Sequence, residues 1–159
     1  MLYLESKYLY RRIKTPGPLS LDPVPLGVAK VVREGTRVSL ITYSAGVHQG
    51  LEAAAELDSE GISVEVIDVR TLVPLDLETI ARSVRKTSRA VVLHEDTRRL
   101  GYGAEIAAEI GEQCFWWLDH PVVRVAAKNT PIPTSPPLED AVVPGTAEVI
   151  ETLRRVATT

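Results

Sequence analysis

Strand-like and helix-like segments alternate without interruption from residue 37 to residue 156, and this alternation limits the possible folds more than any other feature of the sequence. The predicted strands cover residues 37–43, 62–69, 90–93 and 122–126, and the predicted helices cover residues 47–60, a stretch that begins after Asp76, and residues 103–118 and 146–156. Such alternation predicts an α/β fold with three layers, α/β/α, around a mainly parallel sheet. Lys30–Arg33 is expected to add a strand, as an antiparallel edge.

Three residues predict where individual helices begin or end. Ser44 and Asp76 stand just before helical patterns, where serine and aspartate side chains accept hydrogen bonds from first-turn amides. Gly61 follows the first helical pattern, where a glycine often ends a helix. We therefore expect Ser44 and Asp76 to act as N-terminal caps.

Two adjacent tryptophans close the third predicted helix. Ile106, Ile110, Cys114 and Trp117 align on one face of that helix and are expected to lie in the core. Neighbouring helical residues point about 100° apart, so Trp116 is then directed to a flank. Tryptophan is enriched at protein interfaces, and we predict that Trp116 contacts a partner. The alternative is that a neighbouring loop half covers its ring.

The first 25 residues differ in character from the rest of the chain. Leu2, Tyr3 and Leu4 resemble the start of a strand, and the segment from residue 15 to 25 contains four prolines. Proline restricts its own backbone and that of the preceding residue, so this segment is expected to be an extended linker. The predicted organisation is the end of a preceding domain and a linker in residues 1–25, followed by one domain in residues 26–159.

Composition excludes several classes of function. The chain has 159 residues, a net charge of -3 and a single cysteine. This charge gives no electrostatic reason to expect binding to nucleic acid or to an anionic membrane, and no apolar run is long enough to span a bilayer. One cysteine and the lack of a recognisable secretion signal suit a cytoplasmic protein.

The most suggestive polar residues follow the buried strand at 90–93, because ligands of open parallel sheets bind beyond the carboxyl ends of the strands. They are His94, Glu95, Arg98, Gly101 and Gly103. One interpretation is an anion site in which backbone amides of the next helix take part. The other, which we favour, is structural, since adjacent strand residues such as His94 and Glu95 point to opposite faces. No spacing of histidine and cysteine suggests a metal site, and we predict no catalytic, cofactor-binding or metal-binding residue.

Seven segments together resemble one enzyme family. They are SKYLYR (6–11), VPLGVAK (24–30), VIDVRTLVPLD (66–76), HE (94–95), GAEI (103–106), TPIP (130–133) and PPLED (136–140). In this order and spacing they resemble the C-terminal part of the β subunit of thiamine-diphosphate-dependent 2-oxo acid dehydrogenases of the pyruvate or branched-chain type. The chain departs from that family's pattern at Asp96, Thr97, Leu100 and Asn129.

The resemblance implies a fold like the transketolase C-terminal domain and a parent enzyme that decarboxylates a 2-oxo acid and passes the acyl group to a lipoyl acyltransferase. It also implies that thiamine diphosphate and magnesium are bound by other parts of that enzyme, and that no cofactor is bound by this chain alone. The expected role of the chain is therefore assembly and docking, and the isolated chain is expected to be inactive.

The same resemblance implies three partners: a second β subunit, an α subunit and the subunit-binding domain of the acyltransferase. Acidic groups would pair with basic residues of that last domain, and the candidates are Glu139, Asp140 and the terminal carboxylate of Thr159. Two alternatives remain open at this point. One is an independent regulatory domain that binds an anion or nucleotide at the strand end, and the other is the C-terminal domain of transketolase or deoxyxylulose-phosphate synthase.

Overall fold

The computed structural model describes residues 2–14, 17 and 22–159. The strands are β1 (Lys30–Arg33), β2 (Val38–Thr42), β3 (Val64–Asp68), β4 (Ala90–Thr97) and β5 (Val123–Ala127). The helices are α1 (Ala45–Asp58), α2 (Leu77–Thr87), α3 (Tyr102–Cys114), α4 (Pro136–Asp140) and α5 (Thr146–Thr158). Single turns of 3-10 helix cover Leu9–Arg11 and Phe115–Trp117.

The strands form one sheet in the order β1-β3-β2-β4-β5. Strands β2, β3, β4 and β5 pair in parallel, whereas β1 pairs antiparallel with β3 at the edge. The mainly parallel α/β fold and the antiparallel edge strand are thus confirmed. Below, "carboxyl edge" names the side of the sheet at which the C-termini of β2 to β5 lie, and "amino edge" names the opposite side, at which these strands begin. Neither term refers to the lateral edge strands β1 and β5.

Apolar side chains cover both faces of the sheet, which gives the predicted three layers. Alternate residues of each strand point to opposite faces, so Leu40 of β2 packs beneath α1 and α5, and Ile41 packs beneath α2 and α3. Both residues are fully buried. The near-continuous burial of β2 and β4 is typical of parallel strands covered on both sides.

The two predicted N-terminal caps have different outcomes. The carboxylate of Asp76 accepts a hydrogen bond from the Thr79 amide at 3.0 Å and a second from the Ala29 amide at 2.9 Å. Asp76 therefore caps α2 and also fastens the start of the domain to that helix. Ser44 does occupy the N-cap position of α1, which begins at Ala45, but its side chain makes no capping hydrogen bond, so the predicted side-chain cap is wrong.

The start of the chain also differs from prediction. Residues 2–6 form no strand, and Leu2, Tyr3 and Leu4 are exposed. A strand is stable only when a neighbouring strand pairs with it, and the part of the chain that the structure describes offers none to these residues. Met1 and most of the proline-rich segment, residues 15, 16 and 18–21, lie outside the described residues. The proline-rich loop after β5 leads into the short helix α4, which the sequence did not predict.

The third helix is shorter than predicted. It ends at Cys114, and the chain continues as one tighter turn, Phe115–Trp117. The backbone of Cys114 leaves helical geometry (φ -119°, ψ 9°), which rotates the next residues away from the buried stripe. Ile106, Ile110 and Cys114 are buried as expected, but the prediction for Trp117 is wrong, since 46% of that residue is exposed.

Candidate functional site

The centre of the carboxyl edge is where a sheet of this topology usually binds ligands. Strands β2 and β4 are neighbours, but β2 leads through α1 to β3 on one side and β4 leads through α3 to β5 on the other. Such a reversal opens a crevice beyond the strand ends. The N-termini of α1 and α3 both lie at this edge, on opposite faces of the sheet.

His94 lies at this edge, directly beneath the first turn of α3. Only 1% of the residue is exposed, and a Cβ atom on Gly103 would lie 2.3 Å from its Nε2 atom. A Cβ atom on Gly101 would lie 2.7 Å from its Cε1 atom. The structure therefore brings His94, Gly101 and Gly103 together, as a ring packed against two glycine backbones. Glycine is required at positions 101 and 103 because the His94 ring approaches the backbone there too closely to leave room for a Cβ atom.

Neither ring nitrogen of His94 has a hydrogen-bond partner among the described residues. Burial lowers the pKa of the imidazole, as does the charge of Arg124, whereas Asp96 acts in the opposite direction. The ring is therefore neutral near pH 7. A buried polar atom without a hydrogen-bond partner lowers the stability of the fold. An apolar side chain at position 94 would therefore be expected to give a more stable fold than His94.

The remaining residues of the predicted strand-end site point elsewhere. Arg98 donates from Nη1 to the carbonyl oxygen of Arg124 at 2.6 Å, and Arg124 donates in return to the carbonyl oxygen of Arg98 at 2.7 Å. These contacts tie the loop after β4 to β5. Burial raises the pKa of the Glu95 carboxyl, and nearby Glu139 adds to the effect.

Tyr43, at the end of β2, completes the polar group at the carboxyl edge. Its burial, together with the charges of Asp96, Tyr102 and Glu95, raises the pKa of its hydroxyl to about 12. Tyr102 donates its own hydroxyl hydrogen bond to the carbonyl oxygen of Leu72. The carboxyl edge therefore carries acids and phenols, together with Arg98 and Arg124, whose guanidinium groups donate to each other's backbone carbonyl oxygens.

The amino edge contains a polar network that sequence reasoning missed. The buried hydroxyl of Ser39 lies 2.6 Å from that of Ser83 and 2.7 Å from that of Thr87, so β2 is linked to two positions of α2. Polar residues spaced four apart on α2 were the available signal, but their partner is known only once α2 is placed over β2.

A buried carboxylate adjoins this network. Glu65 of β3 is 1% exposed, and it accepts hydrogen bonds from the ammonium of Lys86 and, at 3.2 Å, from the amide of Gly35. The hydrogen bond to Glu65 raises the pKa of Lys86. A groove of about 310 Å³ opens beside the pair, between β1 and α2. Because the charges are already paired, the arrangement has the character of a structural ion pair.

Three consecutive aromatic residues form an exposed surface at the amino edge, here called the aromatic surface: Phe115, Trp116 and Trp117. Trp116 is 87% exposed, and Phe115 meets its ring edge to face with 5.0 Å between the centroids. The guanidinium of Arg85 lies 4.7 Å from the centroid of the Trp117 ring. The outward direction of Trp116 was predicted correctly, whereas the alternative, a ring half covered by a neighbouring loop, is wrong.

The predicted acidic docking residues do not lie together. Glu139 and Asp140 are exposed on α4 at the carboxyl edge, close to Glu95. Thr159 follows α5 and is exposed at the amino edge, where Arg37, just before β2, donates to the nearby carbonyl oxygen of Ala157 at 2.7 Å. The 13 residues of α5 separate the two groups by about 20 Å along its axis.

Residues 2–14, 17 and 22–159 contain neither a candidate metal site nor a helix suited to span a membrane. No group of three or more histidine, cysteine or acidic side chains is placed to hold a metal ion there. Among the helices in those ranges, none combines the length and the apolar character needed to cross a membrane.

Comparison with known protein families decides the classification. The model of the transketolase C-terminal domain matches residues 27–149. The chain belongs to this family. Over 156 residues it is also 44% identical to the pyruvate dehydrogenase E1 component subunit beta of Bacillus subtilis, a match that covers 98% of the chain and 48% of that relative. The resemblance inferred from the seven sequence segments is confirmed.

Further relatives agree with this classification. The chain is 39% identical over 155 residues to the beta subunit of the acetoin:2,6-dichlorophenolindophenol oxidoreductase of Cupriavidus necator, covering 98% of the chain and 46% of that subunit. The chain thus spans about half the length of the curated relatives it matches.

Solved structures with this fold include a split-gene transketolase in an inactive beta4 tetramer, with a TM-score of 0.73 and 27% identity, matched over 83% of this chain and 43% of that one. A 2-oxoglutarate:ferredoxin oxidoreductase from Magnetococcus marinus shares the fold alone, with a TM-score of 0.55 and 11% identity over 82% of this chain and 19% of that one.

Proposed function

We propose that this chain is the assembly and partner-docking domain of the β subunit of a 2-oxo acid dehydrogenase, and that it carries no catalytic residue itself. The similarity to pyruvate dehydrogenase β subunits along 98% of the chain supports this role. In the proposed parent enzyme, a cytoplasmic assembly, thiamine diphosphate and magnesium are bound by other parts, and the acyl group passes to a lipoyl acyltransferase.

The proposed division of the chain follows from the same assignment. Residues 26–159 are the domain, and residues 1–25 are the end of a preceding domain and its linker. The exposed apolar side chains of Leu2, Tyr3 and Leu4 support this division, because such side chains are ordinarily covered by a partner or by another part of the protein. In this proposal the segment pairs with the sheet of the preceding domain.

The aromatic surface is the observation that carries the assembly role. A tryptophan that is 87% exposed, flanked by a phenylalanine and a half-exposed second tryptophan, is costly for a domain that remains alone in water. Tryptophan and arginine are also the residues that contribute most at protein interfaces. We propose that Trp116, together with Trp117 and the Arg85 guanidinium that lies over the Trp117 ring, contacts a second β subunit. The beta4 tetramer of the split-gene transketolase shows that a related chain self-associates.

Sedimentation of the 159-residue chain tests this contact. The wild-type chain is expected to self-associate, and Trp116→Ser is expected to weaken that association at least tenfold, since a central interface tryptophan contributes about 2 kcal/mol or more. Leu100→Asn is the matched control, because it removes another highly exposed apolar side chain at the carboxyl edge. A wild-type chain that stays monomeric at high concentration would refute the role of Trp116.

Docking of the acyltransferase is proposed at Glu139 and Asp140, with Thr159 as a separate acidic point. The exposure of both carboxylates on α4 and the proximity of Glu139 to Glu95 support an interaction with a basic surface. In reconstituted enzyme, Glu139→Lys combined with Asp140→Lys should weaken acyltransferase binding. The pair Glu112→Lys and Glu151→Lys makes the same change of charge on α3 and α5 and should leave binding intact. Equal binding by both double variants would remove α4 from the docking site.

A second candidate function rests on the unpartnered ring nitrogens of His94. In this alternative the strand-end group of His94, Glu95, Arg98, Gly101 and Gly103 binds an anion or nucleotide, and the domain is regulatory. Calorimetric titration of the chain with nucleotides and with thiamine diphosphate separates the two proposals. The assembly role predicts no binding, whereas saturable binding that His94→Phe abolishes would favour the regulatory role.

A further inference from the structure

His94 is built into the first turn of α3 in a way that only a neutral ring can satisfy. The ring is 1% exposed and lies against the backbones of Gly101 and Gly103, where a Cβ atom would come within 2.7 Å and 2.2 Å of ring atoms, respectively. A doubly protonated imidazole has two N–H donors, and neither nitrogen has an acceptor among the described residues. A proton therefore cannot bind while the ring stays in place without large cost.

Burial, rather than the neighbouring charges, is the main obstacle to a positive charge on the ring. The N-terminus of α3, which carries the positive end of the helix dipole, faces the ring. Arg124 of β5 adds a second positive charge, and Asp96 at the end of β4 is the opposing negative one. The phenols that approach from β2 and α3, Tyr43 and Tyr102, are neutral in acid.

We propose that His94 is a proton-operated latch on the first turn of α3. The neutral ring fills the space beneath the two glycines and holds the turn closed. When the ring binds a proton it moves to water, and the segment Leu100–Gly103 opens with it. This inference does not depend on the proposed function.

Opening of the turn would reach beyond α3. Tyr102, within the turn, donates its hydroxyl hydrogen bond to the carbonyl oxygen of Leu72. The adjacent Thr71 accepts from the amide of Gly27 at 3.1 Å, where the chain enters the domain. The latch therefore connects a protonation event at the strand end to the loop before α2 and to the entry of the domain.

Amide hydrogen exchange of the 159-residue chain, followed by NMR between pH 7.5 and pH 5.0, tests the latch. The amide of Ala104 reports on the closed turn, because it donates to the carbonyl oxygen of Gly101 at 2.9 Å. Its protection, corrected for intrinsic exchange, should fall below about pH 6.5, where a solvated histidine titrates. Since one proton is bound on opening, the fall should approach but not exceed tenfold per pH unit.

Two variants identify the proton-binding group. His94→Phe keeps a flat ring without nitrogens and should make the protection of Ala104 independent of pH, whereas His48→Gln, at an exposed position of α1, should leave the wild-type pH dependence unchanged. The latch is refuted if wild-type protection is constant over this range, or if His94→Phe shows the same fall. If His94→Phe does not fold, the imidazole resonances of His94 in the wild-type chain provide the test. The latch is also refuted if these resonances titrate near pH 6.5 while the Ala104 amide stays protected.

Discussion

The two edges of the sheet differ in how most of their buried polar side chains are paired, although Arg89 Nε at the amino edge is also buried without a hydrogen-bond partner among the described residues. At the amino edge, the hydroxyls of Ser39, Ser83 and Thr87 bond to one another, and Glu65 is paired with Lys86. At the carboxyl edge, the hydroxyl of Thr42 and both ring nitrogens of His94 are buried without a hydrogen-bond partner among the described residues.

The difference shows which edge holds the fold together. A paired buried polar group adds specificity to the packing of α2 over the sheet, whereas an unpaired one costs stability. The carboxyl edge is also the edge at which folds of this type bind ligands. Loss of a polar group at the amino edge is therefore expected to lower the free energy of unfolding. Loss of an unpaired polar group at the carboxyl edge is expected to raise it.

The largest expected effect lies at the amino edge. Lys86→Met should lower the free energy of unfolding by about 3 kcal/mol, because it leaves the buried Glu65 carboxylate without its ammonium partner. The value is at the low end for such pairs since Lys86 is 40% exposed. Chemical denaturation measures it, with the exposed Lys128→Met as the control. Adding Glu65→Leu to Lys86→Met should recover most of the loss, and a loss no larger than that of the control would show that the pair is unimportant.

A smaller effect is expected from a methyl group beneath α3. Gly103→Ala should lower the free energy of unfolding by about 2 kcal/mol, because the new Cβ atom would lie 2.2 Å from the His94 ring and force it to move. Gly111→Ala in the same helix, where nothing lies within 4 Å, should raise stability by about 0.5 to 1 kcal/mol. Thermal denaturation of the two variants compares them directly. Equal shifts would mean that the close packing of His94 does not hold in solution.

The smallest effect compares one hydroxyl from each edge. Ser39→Ala should cost about 1 kcal/mol, because the hydroxyls of Ser83 and Thr87 lose a shared partner. Thr42→Val keeps the shape and removes an unpaired hydroxyl, so stability should be unchanged or up to about 1 kcal/mol higher. Urea denaturation of both variants measures the sign of each change in the free energy of unfolding. If Thr42→Val costs as much as Ser39→Ala, the contrast between the edges is wrong.

The sequence predicted those features of the fold that depend on neighbouring residues or on a regular repeat. The alternation of residues 37–156 predicted the layers and the parallel sheet, and Asp76 was recognised as a cap because its carboxylate satisfies an amide three residues away. The strand Lys30–Arg33 was also expected, as an antiparallel edge. In each case the relevant partners are close in sequence or fixed by the repeat.

The remaining features depend on contacts between distant residues. Ser39 and Ser83 are 44 positions apart, so their hydrogen bond can be inferred only after α2 has been placed over β2. Trp117 was assigned to the core by extending the period of α3 past Cys114, where the backbone leaves the helix. Leu2–Leu4 has strand-forming residues but no neighbouring strand in the described part of the chain. For the candidate site, the sequence predicted that His94, Gly101 and Gly103 belong together, but not that the ring fills the space between them.

The antiparallel direction of β1 determines how this domain can be attached to anything else. Because β1 runs against β3, the backbone enters at the pole that carries Glu139 and the His94 turn, while α5 leaves its last residue at the opposite pole, near Arg37. A reporter or affinity tag fused after Thr159 would consequently lie at the amino edge and leave the carboxyl edge accessible. A fusion placed ahead of residue 26 would instead block access to the carboxyl edge. The direction of a single four-residue strand thus sets the end of the sheet at which the chain enters the domain.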